Sequence, residues 1–241
     1  MKKIKLFSLV FFALFVSVAV EAQFAVGTDI VSSYVWRGLP QGSTHGGTPN
    51  FQPYLSYTAG GFSIGSWASG SFDGGIKEVD LYATYAISPL FSVTVTDYNY
   101  GFASTGAGNQ KYFNYDNDKT DHIIELTAAY AGVKAFPLSL SLNTMVYGAD
   151  KKVNSSGDLK QAYSTYFELG YPLSSNAKVF AGGSLGKSPN TYYTDGFNFT
   201  NIGLKVSKSI EITDKFSLPV YGILGFNPNA SNAYFVVGIS L

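Results

Sequence analysis

The residues best suited to chemistry in this chain are few and far apart. Arg37 is the only arginine. Glu78 and Asp80 lie two residues apart, a spacing that puts both carboxylates on one face of a strand. A guanidinium beside a low-dielectric wall is costly unless it is paired. The expectation is therefore an Arg37–Asp80 or Arg37–Glu78 ion pair, with Gln52 and Trp67 in the same cluster. Asp29, Glu125, Glu168 and Lys205 are further charged positions set among apolar neighbours. Such a set can attract, repel or order ions and small polar solutes. It does not by itself make or break bonds.

Support for covalent chemistry is thin. The chain has no Cys, which excludes thiol catalysis, a disulfide framework and Cys-based zinc sites. Of its two histidines, His45 reads as a loop residue and His122 as the start of a strand, and neither belongs to a nucleophile motif. The carboxylates of 116–121 are spaced somewhat like a calcium loop but lack the Gly and the distal Glu of an EF-hand, so a solvated loop is expected. Asn154-Ser-Ser and Asn198-Phe-Thr match a glycosylation pattern that is common by chance. No enzyme, metal or cofactor is expected. The formal net charge is zero, so nothing draws the chain to nucleic acid.

These side chains must be positioned by strands. The composition is 16% aromatic and 13% charged, against roughly 25% charged in a soluble domain. Beyond Gln23 the pattern alternates apolar and polar residues. Twelve strands are predicted: 24–37, 50–58, 61–69, 76–87, 90–101, 121–131, 138–148, 161–171, 176–186, 198–210, 215–226 and 230–241. Pro53, with no N–H to donate, weakens the second. The connections alternate between short turns and longer polar loops. With an even strand number this is the pattern of an all-β transmembrane antiparallel up-and-down β-barrel. Phe24, Tyr34 and Trp36 would then lie on the outer face of the first strand, as an aromatic belt. The last strand, with Phe235, Val237, Ile239 and Leu241 on one face, would close against the first.

Residues 1–22 read as a cleaved secretory signal peptide. Lys2, Lys3 and Lys5 form its positive end, 6–20 its apolar run, and the cut falls before Gln23. The barrel domain is then 23–241, with 13 basic and 15 acidic residues, in the bacterial outer membrane. Lipid and the barrel-assembly machinery are its expected partners.

Residues late in odd strands and early in even strands lie near the long-loop mouth. That places Arg37, Gln52, Trp67, Glu78 and Asp80 together at the mouth, with Asp29, Glu125, Glu168 and Lys205 lining the lumen below. Twelve strands about 4.8 Å apart and tilted about 40° enclose a backbone diameter of roughly 24 Å. Side chains narrow this further, and inward Tyr82, Tyr98, Tyr100, Tyr166 and Tyr221 are placed to close it.

The motif Ser32-Ser-Tyr-Val-Trp-Arg-Gly-Leu-Pro-Gln41, followed by Pro49-Asn-Phe-Gln-Pro-Tyr54, Gly61-Phe-Ser-Ile-Gly-Ser-Trp-Ala-Ser69 and Glu78-Val-Asp-Leu-Tyr82, resembles the TorF-like family of outer-membrane porins. The resemblance covers about the first 80 mature residues and implies a barrel with a porin role. The expected function is a narrow passive channel for small solutes or ions, with mild cation preference from its acidic lining. The alternatives are a closed barrel whose long loops bind a partner, and a lipid-acting outer-membrane enzyme.

Overall fold

The computed structural model describes residues 22–42, 47–100, 112–117 and 119–241. Residues 1–21 of the expected signal peptide, His45 and the stretch 101–111 lie outside the described residues. Twelve antiparallel strands form one closed barrel. In chain order they are β1 (Gln23–Val31), β2 (Asn50–Ala59), β3 (Phe62–Ser71), β4 (Lys77–Ala86), β5 (Phe91–Asn99), β6 (His122–Tyr130), β7 (Ser139–Gly148), β8 (Thr165–Pro172), β9 (Ala177–Ser184), β10 (Asn198–Thr213), β11 (Phe216–Asn227) and β12 (Asn232–Ser240). Each strand pairs with its sequence neighbours. The barrel closes where Asp29, Ile30 and Val31 of β1 meet Ser240, Ile239 and Gly238 of β12. Pro53 sits within β2 opposite Thr28.

Alternation sorts the side chains into two environments. Phe24, Val26, Leu55, Ile64, Leu81, Val95, Leu126, Leu142, Leu224 and Phe235 are exposed on the outer face. Aromatic pairs gather at the short-turn edge: Phe24 with Tyr57 at 4.9 Å and Phe91 with Tyr130 at 5.1 Å between ring centres. Phe167, Phe197 and Phe199 cluster toward the long-loop edge. An exposed apolar wall between aromatic girdles is the surface of a transmembrane barrel. Leu126, 48% exposed near the middle of β6, tests this directly. Leu126→Arg is expected to cost about 2–4 kcal/mol of folding stability in vesicles, the depth-dependent value for a charge facing lipid. Unfolding in urea, followed by tryptophan fluorescence, measures it.

Several expected strands are shorter than the alternation suggests, and at two of them the chain folds away from the wall. The eighth begins at Thr165, because 151–161 folds back as a hairpin of Lys151–Val153 with Leu159–Gln161. Tyr163, inside the predicted span 161–171, precedes the strand with φ 54°. The larger difference concerns the first strand. It leaves the wall after Val31 instead of running to Arg37, and 32–42 turns into the lumen. Val35 and Trp36 pair with Pro40 and Leu39, around a two-residue turn in which Arg37 (φ 52°) and Gly38 (φ 80°) are both left-handed. That is the turn whose twist suits a tight hairpin.

Candidate functional site: a hairpin septum across the lumen

The inward hairpin overturns the expected outer placement of Tyr34 and Trp36. Tyr34 is buried against Trp67 of β3, with ring centres 5.4 Å apart. Trp36 stacks on Tyr192 at 5.6 Å and meets Tyr98 of β5 edge-on at 5.9 Å. Both rings find aromatic partners inside the barrel, in the tilted, edge-on and stacked geometries such pairs favour.

Arg37 also pairs otherwise than expected. Its Nη1 donates to Glu125 Oε2 at 2.6 Å and its Nη2 to Glu125 Oε1 at 2.9 Å. Asp80 and Glu78 do not pair with it. Glu125 stands on β6, across the lumen from β1, and the hairpin carries the guanidinium to it. A two-point fork on a carboxylate is the strongest pairing an arginine makes. The guanidinium also lies 4.6 Å from the Trp36 ring centre and 4.7 Å from that of Tyr166, so aromatic faces cover it on two sides. Tyr98 donates to Glu125 Oε1 at 3.0 Å and Thr127 does so at 3.2 Å. Glu125 is 1% exposed and Arg37 13%.

Further contacts fix the hairpin to the opposite wall. Thr200 of β10 donates to the Arg37 carbonyl at 3.3 Å, and Asn227 of β11 donates to the Gly38 carbonyl at 3.1 Å. Tyr166 is accommodated because its ring lies over Gly182, the β9 partner of Glu168; a Cβ there would fall 2.1 Å from the Tyr166 hydroxyl.

Tyr192 completes the septum and was not anticipated from the sequence. It accepts a hydrogen bond from Arg37 Nη1 at 2.5 Å and is fully buried with Met145 and Tyr166. Burial pushes the Tyr192 hydroxyl above the ordinary phenol range against the opposing pull of Arg37, so it stays neutral. Asp150 anchors the loop that carries it, accepting from the Ser164 and Thr191 hydroxyls, each at 2.6 Å. Ser188 links to Ser164 at 2.6 Å and accepts from the Tyr192 amide at 3.0 Å. An Asn-Thr-Tyr-Tyr run in a polar loop carries no periodic signal that could have revealed this.

The other candidates stand on the inner face of the wall. Gln52, Ser69 and Asn50 form a hydrogen-bonded row on β2 and β3. Trp67 and Asp80 are strand partners. Glu78 and Asp80 are buried on β4, apart from Arg37. Glu168 accepts from Tyr166 at 2.9 Å. Asp29 accepts from Tyr221 at 3.2 Å, and Lys205 lies 4.1 Å from the Tyr221 ring centre. A cavity of about 290 Å³ on one side of the hairpin touches Arg37, Gln52, Glu168, Lys178 and Lys205. A second, of about 520 Å³, lies against its Trp36–Gly42 side with Tyr98, Tyr100 and Asn190.

His122 faces away from this site. Its Nδ1 lies 2.7 Å from Asp97 Oδ1, and its Nε2 meets the Tyr112 carbonyl. Tyr115 covers the ring and donates to Asp97 Oδ2 at 2.7 Å. Both ring nitrogens are engaged, leaving none to activate a nucleophile. The pair instead pins the 112–117 segment to the barrel rim. His122→Ala is expected to release that segment and raise its cleavage by a soluble protease several-fold, with the barrel intact by circular dichroism.

No protein-family model matches the chain, and no curated protein is similar to it. Among solved structures it is similar to the NanC porin, at 10% identity and TM-score 0.43 over 90% of this chain and 98% of that one. It is also similar to a mutant of the Rh. blastica porin, at 14% identity and TM-score 0.39 over 91% and 73%. A third likeness is to the translocator domain of the autotransporter NalP from Neisseria meningitidis, at 12% identity and TM-score 0.33 over 99% and 93%. The strand ladders and the apolar outer belt carry the assignment on their own: the chain is a closed twelve-stranded transmembrane β-barrel.

Proposed function

We propose that this barrel is a narrow passive channel for ions and small solutes, restricted at the Arg37–Glu125 septum. One observation carries the reading: the lumen holds a cavity on each face of a single thin hairpin. A barrel built only as a structural shell has no need of a cavity on each side of one hairpin, one bordered by Arg37 and the other by Trp36. The inner carboxylates Asp29, Glu78, Asp80, Glu125 and Glu168 face the bases Arg37, Lys178 and Lys205, and Arg37 is already neutralised by Glu125. That balance supports mild cation preference. The likeness of the N-terminal motifs to the TorF-like family agrees with a porin role, and residues 1–22 fit a cleaved export signal that delivers the chain to the assembly machinery.

Planar-bilayer recording is the test. The refolded mature chain is expected to give small discrete conductance steps, with a reversal potential displaced toward the cation side in a salt gradient. A zero or anion-selective reversal potential overturns the selectivity. The Trp36–Tyr192–Tyr166 stack, in which Tyr192 and Tyr166 are fully buried, favours a second reading, a closed barrel acting through its outer loops. Silence from both the wild type and an Arg37→Ala variant selects that reading.

A further inference from the structure

Glu78 is 1% exposed, and neither of its carboxylate oxygens has a hydrogen-bond partner. Tyr34, Tyr100 and Asp80 are its polar neighbours. Asp80 is 5% exposed, and its Oδ1 accepts from the Asn99 amide at 3.3 Å. No ion pair among the described residues involves either carboxylate, and the lone arginine is held by Glu125. Two adjacent buried carboxylates without a counter-charge carry a large desolvation cost unless a cation or a proton joins them.

From this we infer that Glu78 and Asp80 form a site for a hard divalent cation, Ca²⁺ in particular, with the Tyr34 and Tyr100 hydroxyls around it. The donors are all oxygens, which suits Ca²⁺ or Mg²⁺ and not the softer transition metals. Mg²⁺ keeps several waters and demands near-octahedral geometry, whereas Ca²⁺ tolerates irregular carboxylate cages. Access is available from both sides: Tyr34 borders the smaller cavity and Tyr100 the larger. Because Tyr34 follows β1 and Tyr100 follows β5, a bound ion ties the base of the hairpin to the wall.

Terbium, a luminescent stand-in for Ca²⁺, tests the site in the refolded barrel in detergent micelles. Trp67 is the strand partner of Asp80, so its indole is placed to sensitise a bound ion. The expected result is sensitised emission that Ca²⁺ displaces, together with a higher Tm in Ca²⁺ than in EDTA. Glu78→Gln and Asp80→Asn should each weaken terbium binding by roughly tenfold or more, since fewer ligand charges mean weaker binding. Trp67→Phe should weaken the emission excited through indole and keep the Ca²⁺-dependent Tm, with the Tyr34 and Tyr100 phenols still sensitising the ion. Equal Tm in Ca²⁺ and EDTA, with no displaceable emission from the wild type, overturns the site and leaves a shared proton as the counter-charge. Neither readout depends on conductance, so the site and the channel reading stand or fall separately.

Discussion

Arg37→Ala is expected to destabilise the barrel by about 3–5 kcal/mol and to enlarge its unit conductance. The cost follows from what is left behind: Glu125, 1% exposed, loses its partner, the situation in which a broken buried pair is most costly. Tyr98 and Thr127 still donate to it, which places the loss toward the lower end of that range. The conductance should rise because the guanidinium fills the gap between the Trp36 and Tyr166 rings. Arg37→Lys should recover only part of the stability, since an ammonium lacks the planar two-point fork. Glu125→Gln strands the opposite charge. Combined with Arg37→Ala, it should show a coupling of about 0.5–3 kcal/mol in a double-mutant cycle. Additive losses would mean that the two side chains do not act as a pair. Urea midpoints in lipid vesicles give the energies, and single-channel recording gives the pore size.

Gly38→Ala should act more severely on the septum while leaving the barrel closed. A Cβ at this position falls 1.8 Å from the Thr200 carbonyl oxygen, at φ 80°. The obstacle is backbone on β10, a strand paired on both sides with β9 and β11, so no rotamer change can relieve it. The left-handed backbone adds about 1–2 kcal/mol for any residue with a side chain. The hairpin must therefore lift from the wall, withdrawing Arg37 and Trp36 together. The expected result is a larger conductance than Arg37→Ala produces, with unchanged strand content by circular dichroism. Wild-type conductance in a folded Gly38→Ala barrel would show that the hairpin does not occupy the lumen.

Much of the wall was legible in the sequence. Strand interiors obey a period of two because successive Cβ atoms point to opposite faces, and a barrel with lipid outside and polar residues inside imprints that period strongly. The alternation of short turns with long loops supplied the strand order. Asp29, Gln52, Trp67, Glu78, Asp80, Glu125, Glu168 and Lys205 could be assigned to one face by parity alone. Parity does not say which inner residues touch, or what they do there.

What only the tertiary structure decided is the septum. Through Trp36 the 32–42 segment alternates like the strand before it, and an aromatic residue suits a lipid interface or a dry interior equally well, so its inward turn left no periodic mark. The partner of Arg37 depends on where a hairpin tip comes to rest after crossing the lumen. Glu125 lies 88 residues away, and Tyr192 lies 155 away in a loop. Local pattern determines the face of a residue because that is a property of one strand. The pairing of charges across a barrel depends on closure, tilt and the fold of its loops, which no single strand contains.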